Sequence, residues 1–346
     1  MITLDTFIGN TEMIQLLKIE TLAAKVRNKE LPHILLKGPA GCGKTTLAEA
    51  IAREFGNKPL TLTPNTAKNS DLLRKFFLNM PDDGYDEEGN IIGAHEPINP
   101  QIVFIDEVHQ LSLLAQELLG IAMHDWRLPV TVEGRDEFEW VPRFTLIGAT
   151  TLPGKLSKPF RDRFKVQALF ETYDQDESLE IIGLHARNEG LQLGEGVPEA
   201  IATRSRGVGR LLVRFLDRLA SAAVVASQVR PEAKNVITLP LANKVFTDFL
   251  KIDDRGLTKT DIKILRQLHK MQDPVGVDTL AAVTNEDKST LENEVEPYLT
   301  QEGLMARTKR GRVLTDEGRR YLHTSGYIKE APSMGRMGRV IGAPER

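Results

Sequence analysis

The chain has 346 residues, 41% hydrophobic and 27% charged, with a formal net charge of −3. That length carries two or three domains with their own cores, and the composition is that of a soluble globular protein. The slightly acidic balance excludes a protein that draws polyanions to its whole surface, so nucleic-acid binding would need locally concentrated cations. No apolar run reaches the roughly eighteen residues needed to span a membrane, and Met1–Asp5 opens no signal peptide. The single cysteine, Cys42, can form neither an internal disulfide nor a metal cluster, which fits a reducing, cytoplasmic setting.

Residues 12–30 read as a helix, with Met13, Leu16, Leu17 and Leu22 near a 3.6 period. His33–Leu36 is a short apolar strand running into glycine-rich sequence, and a helix follows from Lys44 to Phe55. Ile102–Ile105 and Phe144–Ala149 are continuous apolar runs, suited to strands buried on both faces. Strands alternating with helices predict an α/β fold with a parallel sheet. Two stretches interrupt the pattern. Residues 81–100 are polar and acidic and read as a surface insertion, while 129–142 alternates around Glu133-Gly134-Arg135-Asp136 and reads as a projecting hairpin. From Gln175 to Lys251 the pattern is helical, Asp253–Gly256 is a polar break, and a compact unit runs from Leu257 to His323. The tail, 324–346, has too few apolar residues to bury much surface and reads as flexible.

The residues Gly38, Pro39, Ala40, Gly41, Cys42, Gly43, Lys44 and Thr45, followed by Thr46, fit a phosphate-binding loop between strand and helix. The glycines let backbone N–H groups curl around phosphates, and the helix N-terminus adds partial positive charge. Lys44 is placed to reach the β- and γ-phosphates and Thr45 to ligate Mg²⁺; Cys42 reads as a small filler. The strand Ile102–Ile105 delivers Asp106, a second Mg²⁺ ligand, and Glu107, which would orient or deprotonate the attacking water. His109 close by reads as a structural or supporting residue. At the end of Phe144–Thr151, Thr151 is the first candidate for sensing the γ-phosphate and Thr150 the second. In Pro159–Arg163, Arg163 is the candidate arginine finger acting on a neighbouring subunit, with Arg161 as alternative. Arg210 could fold back on the nucleotide. In this order the elements describe an ATP-hydrolysing P-loop motor of the AAA+ type that works as an oligomer.

The chain resembles the RuvB family of Holliday-junction branch-migration motors over roughly 4–80 and 101–323. The resemblance rests on Leu4–Gly9, Phe144–Thr151, Arg204–Gly207, Pro274–Ala282, Glu296–Leu299 and Arg307–Arg312. It implies an AAA+ ATPase domain at 1–172, a helical lid domain at 173–252, a winged-helix DNA-binding domain at 253–323 and a tail at 324–346. It also implies that Phe7 and Ile8 flank adenine, that Thr151, Arg163 and Arg210 take the sensor, finger and second-sensor roles, and that the chain forms a hexameric ring on double-stranded DNA or a four-way junction. The departures are the insertion 81–100, Gly209 where the family has proline, and the hairpin 129–142. The hairpin occupies the place where the family docks on its junction-binding partner RuvA, and its Glu133, Arg135, Asp136, Glu137 and Glu139 argue against that partner. Together these describe a divergent member of the kind a phage or mobile element carries.

In the last unit, Leu257, Ile262, Leu265 and Leu268 give the first helix an apolar stripe, and Ser289–Glu292 reads as a capping box opening the third. That third helix carries Glu292, Glu294 and Glu296, whereas the wing carries Arg307, Lys309, Arg310 and Arg312. The wing is therefore expected to touch DNA through phosphates or the minor groove without reading sequence. A DNA-loading ATPase of clamp-loader type and a protein-remodelling AAA+ machine are the alternative functions. Duplex-stimulated hydrolysis would separate the DNA readings from the protein one.

Overall fold

Strands that bury both faces need apolar side chains on alternate sides, and the residues of the expected strands divide in that way. The computed structural model describes residues 2–80, 101–132, 135–228 and 235–328. Its first compact unit holds residues up to Leu193 together with Gly207–Ala220. The strands there are β1 (Ile34–Lys37), β2 (Leu60–Leu62), β3 (Gln101–Ile105), β4 (Arg127–Val132), β5 (Arg135–Trp140), β6 (Phe144–Thr150) and β7 (Val166–Leu169). Five of them form a parallel sheet in the order β2-β3-β6-β1-β7. Ile34, Leu36, Ile102, Phe104, Ile147 and Ala149 enter one core, with side chains of α1 (Thr11–Arg27) and α2 (Lys44–Glu54). Leu35, Val103, Ile105 and Leu146 enter the other, with α3 (Ser70–Leu78) and α4 (Leu113–Asp125). The two helical layers explain why these strands read as unbroken apolar runs.

The expected hairpin is β4 paired antiparallel to β5, from Arg127 opposite Trp140 to Val132 opposite Arg135. Phe138 and Trp140 stand 53% and 55% exposed, so the hairpin projects from the sheet. The insertion 81–100, the turn residues Glu133 and Gly134 and the tail from 329 lie outside the described residues. Among the described residues no helix is long and apolar enough to cross a membrane.

The second unit holds Gly194–Arg206 and residues from Ser221 onward, so the residues expected to form one lid, 173–252, fall in both units. Its C-terminal part is a winged helix. α5 (Lys259–Met271) and α6 (Val277–Thr284) are followed by a third helical stretch, 288–301, the wing strands β8 (Met305–Thr308) and β9 (Gly311–Leu314), and a closing helix, α7 (Asp316–Thr324). Leu257, Leu265, Leu280, Leu299, Leu304 and Leu322 lie in its core. The capping box expected at Ser289 does not form. The third stretch begins two residues earlier, with Asp287 at its cap position, which leaves Ser289 inside the helix. A capping box does open α5, where Thr258 accepts from the Asp261 N–H and Asp261 accepts from the Thr258 N–H.

One buried histidine fastens the first unit together. Nδ1 of His33 accepts the Leu146 N–H at 2.9 Å, which obliges Nε2 to carry the proton and donate to the Met123 carbonyl at 3.0 Å. The ring thereby ties α4 to β6, packed between Trp126 and Phe144. Burial holds its pKa down at about 4 against the usual 6.5. The unfolded chain therefore binds the extra proton between these values. The His33 contribution is fully present above pH 6.5 and drains away as the pH falls toward 4, by up to about 1.4 kcal/mol per pH unit. The unfolding midpoint of the parent should exceed that of His33→Gln by most near pH 7, with the gap narrowing toward pH 5. Melts at several pH values check this, and a gap independent of pH would contradict it.

Candidate functional site

Parallel strands deliver their carboxyl ends to one edge, where polar groups gather in an open α/β sheet. β1 ends in the loop Gly38–Gly43, β3 ends in Asp106 and Glu107, and β6 ends in Thr150 and Thr151. In the loop, Gly38 has a φ of 145°, and a Cβ there would collide with the Phe170 carbonyl, so only glycine lets the chain turn past β7. Gly43, left-handed at φ 90°, precedes the first turn of α2, and no side chain caps that turn. Its N–H groups remain available to an anion. Lys44 is buried, and its ammonium donates to the carbonyls of Gly38 at 2.9 Å and Pro39 at 2.6 Å. Cys42 is buried too and donates to the Pro39 carbonyl; burial raises its thiol pKa, in keeping with a filler rather than a nucleophile.

Gly41, Gly43 and Lys44 of the loop, with Asp106 and Glu107, line a cavity of about 470 Å³, whereas Gly38, Cys42, Thr150 and Thr151 do not line it; the size suits a small-molecule ligand. Its lining has an apolar set, Phe7, Ile8, Ile181, Leu184 and Val213, and a polar or phosphate-loop set, Gly41, Gly43, Lys44, Thr45, Thr46, Asp106, Glu107 and Arg210. Arg210 is fixed to the loop through its N–H, which donates to the Gly41 carbonyl at 3.2 Å. Thr45 and Asp106 offer two hard oxygen donors in the lining. Among the described residues no group of three His, Cys, Asp or Glu could hold a metal. A cation here would have to complete its shell with phosphate oxygens and water, which is how Mg²⁺ is usually bound beside a nucleotide.

Glu107 is held away from free rotation. Its Oε2 accepts the Thr151 N–H at 3.2 Å and the Thr151 hydroxyl at 3.0 Å, and His109 Nδ1 lies 3.0 Å from the same oxygen. His109 Nδ1 also lies 3.0 Å from Thr150 Oγ1, which accepts the Leu152 N–H. The structure thus brings Glu107, His109, Thr150 and Thr151 into one network. Arg163 is not among them. It lies against Gly120 of α4 and lines a separate cleft with Arg27, Lys29 and Lys165. Arg161, in the short helix Lys158–Arg161, does not line the nucleotide cavity either.

Tyr173 escaped the sequence reading. Its hydroxyl donates to the Cys42 carbonyl at 3.2 Å, and its ring fills a notch where a Cβ on Gly9, Gly43 or Gly209 would intrude. Burial raises its pKa, so it remains a neutral donor. Gly209, the departure from the expected proline, is one of the three glycines that make room for the ring. The usable signal was three glycines far apart in sequence, which no short motif captures.

On the wing, the four expected DNA contacts separate into two pairs. Glu296 is 1% exposed, and both Arg312 and Arg307 pair with it. Arg312 donates from Nε to Glu296 at 2.7 Å and from Nη2 to Glu292 at 3.2 Å, and these carboxylates raise its pKa further. Lys309 and Arg310 sit exposed at the turn between β8 and β9. Gly311 closes that turn at φ 141°, where a Cβ would strike Val275. Losing one partner of a buried pair costs about 3–5 kcal/mol, and Arg307 remains to offset part of it. Arg312→Ala should therefore destabilise the winged helix by about 3 kcal/mol, and Arg310→Ala by less than about 0.5 kcal/mol. Denaturant unfolding of both variants checks this, and equal effects would contradict it.

Comparison with known proteins places this architecture. The model of the Holliday junction DNA helicase RuvB P-loop domain matches residues 2–82 and 85–170, and that of the RuvB C-terminal winged helix domain matches 254–323. The chain is 37% identical over 327 residues to the Holliday junction branch migration complex subunit RuvB of Parasynechococcus marenigrum, covering 92% of this chain and 87% of that protein. The identity to the same subunit of Wolbachia pipientis is 37% over 324 residues, covering 92% of each. The solved structure of the Thermotoga maritima RuvB Holliday junction branch migration motor superposes with a TM-score of 0.74 at 32% identity, covering 92% of this chain and 96% of that one. The chain belongs to the RuvB family.

Proposed function

We propose that this chain is an ATP-hydrolysing DNA motor that moves Holliday junctions, working as a ring of identical subunits in the cytoplasm. The observation that carries this reading is the division of the catalytic parts. The cavity collects the phosphate loop, Asp106, Glu107 and Arg210, while Arg163 lies on a different surface of the same unit. An arginine needed to neutralise transition-state charge, yet turned away from its own chain's cavity, has its use on a neighbour's nucleotide.

ATP would enter with adenine between Phe7 and Ile8 and its phosphates against Gly41–Thr46. The β- and γ-phosphate oxygens would draw the Lys44 ammonium from the Gly38 and Pro39 carbonyls. Mg²⁺, held by Thr45 and Asp106, would supply neutralisation of phosphate charge. Glu107 would orient the attacking water, with Thr151 fixing its carboxylate and reaching toward the γ-phosphate. Arg210, on the helix Gly209–Ser227, would carry the change from triphosphate to diphosphate into the lid, residues 173–252. The exposed wing cations Lys309 and Arg310 would hold the DNA backbone, with Arg307 and Arg312 bracing the wing on Glu296. The exposed Phe138 and Trp140 of the hairpin would give a RuvA-type junction-binding partner an apolar contact, despite the charges beside them.

The test mixes two inactive variants, Arg163→Ala and Lys44→Ala, and measures hydrolysis with and without duplex DNA. Each alone should lose about 10³-fold or more of its turnover. Mixed rings contain interfaces where an intact loop faces an intact finger, so activity should return and duplex DNA should stimulate it. No recovery in mixtures that exchange subunits would contradict a ring with trans-acting fingers. No stimulation by DNA would favour a protein-remodelling machine.

A further inference from the structure

The winged-helix unit carries a second concentration of positive charge, away from the wing tip. On α5, Lys259, Lys263, Arg266 and Lys270 recur at i, i+4, i+7 and i+11, a spacing that stacks them on one helix face. All four are exposed and line one groove of about 510 Å³ together with Lys251. The opposite face of α5, with Ile264, Leu265 and Leu268, is buried in the core.

The charge of this face is not offset locally. Among the described residues, Lys251, Lys259, Arg266 and Lys270 have no carboxylate within ion-pair distance, and only Lys263 is paired, to Glu286 at 3.2 Å. Asp253 is the one carboxylate lining the groove, and its oxygens are occupied by the Arg255 and Leu257 N–H groups and the Tyr321 hydroxyl. Asp261, the only acid within α5, is buried and engaged by Thr258 and Arg206. Nor does the sequence after 328 supply a counter-charge, since it brings Lys329, Arg336, Arg339 and Arg346 against Glu330 and Glu345.

We infer that this groove binds the phosphate backbone of DNA, as a contact surface separate from the wing. The inference rests on the DNA-motor reading above. From Lys259 to Lys270 the helix rises about 16 Å, which spans about five phosphates of one strand. The other exposed lining groups include Thr247, and half-buried Gln267 lies beside it; both side chains commonly bond phosphate. Of the apolar residues of the lining, Ile252, Leu257 and Ile262 are buried and Tyr327 is half-buried against the domain's core, so no large apolar side chain stands fully exposed in the groove as the anchor on which a protein partner usually depends. The contacts are with backbone, and the groove should not discriminate between sequences.

The test compares the full chain with the triple variant Lys259→Gln/Arg266→Gln/Lys270→Gln and the double variant Lys259→Arg/Lys270→Arg. Binding to two unrelated duplexes is followed by fluorescence anisotropy across a salt series. Each lost contact should reduce the log–log salt slope by about 0.9, so the triple variant should lose between about 2 and 3. Its affinity should fall at least tenfold, equally for both duplexes, while the arginine variant binds like the parent. Heat-unfolding midpoints matching the parent's show that the domain is intact. Should the triple variant fail to fold, each single glutamine variant should still lose about 0.9 from the slope. Unchanged slope and affinity in the glutamine variants, with the parent binding, would overturn the groove as a DNA surface and leave it to an acidic protein; the DNA-motor reading would stand. Loss of binding in the arginine variant would also overturn it, because the charge is kept. A parent that binds no duplex would overturn both.

Discussion

The attachment of Glu107 to Thr151 depends on how β3 and β6 are paired, and most of the nucleotide site depends on that attachment. The parallel register sets Ile105 beside Gly148, so the chain leaving β3 comes level with the last residues of β6. Glu107 then turns back at φ 48°, a left-handed conformation that costs a non-glycine residue on the order of 1 kcal/mol. The Thr151 and His109 contacts hold it there. A carboxylate fixed in this way is preorganised, and fixed groups lose less on reaching a transition state than mobile ones. The same edge carries the phosphate loop from β1, so a shift in either strand pairing would displace loop and carboxylate together.

In the winged helix, one buried carboxylate has a comparable part. Glu296 gathers Arg307 and Arg312, and Arg312 is joined to Val275 by backbone bonds in both directions. A buried charge is tolerated only when paired, so this arrangement ties the wing to the third helix and leaves Lys309 and Arg310 as its outward cations. The acidity of that helix, which reads in sequence as repulsion toward phosphates, is partly internal counter-charge.

Much of this was legible in the sequence because local rules and the fold agreed. Continuous apolar runs became strands buried on both faces, and the phosphate loop, the adjacent carboxylates and the terminal threonines came to one edge because parallel strands end together. The hairpin was found two residues early, since its alternation begins with Arg127 and Leu128, which the apolar pattern alone did not include. Three features were not legible. Tyr173 fits only where three distant glycines converge. The Arg312–Glu296 pair requires knowing that Glu296 is buried. The cations of α5 are interleaved with Asp261, Ile262, Ile264, Leu265 and Leu268, so no window of sequence looks basic; helical spacing, applied to charge as it was to apolar residues, would have shown them. At Ser289 a local capping signal lost to a helix that starts two residues earlier.

On the function proposed above, hydrolysis organised around Glu107 drives movement of a DNA junction. The most direct measurement follows a synthetic four-way junction with one labelled arm, incubated with a RuvA-type partner and either the parent chain or Glu107→Gln. The parent should convert the junction to duplex products only when ATP is present, while Glu107→Gln should bind nucleotide and leave the junction intact. Junction movement by Glu107→Gln at the parent's rate, or ATP hydrolysis by the parent with no movement of the junction, would contradict it.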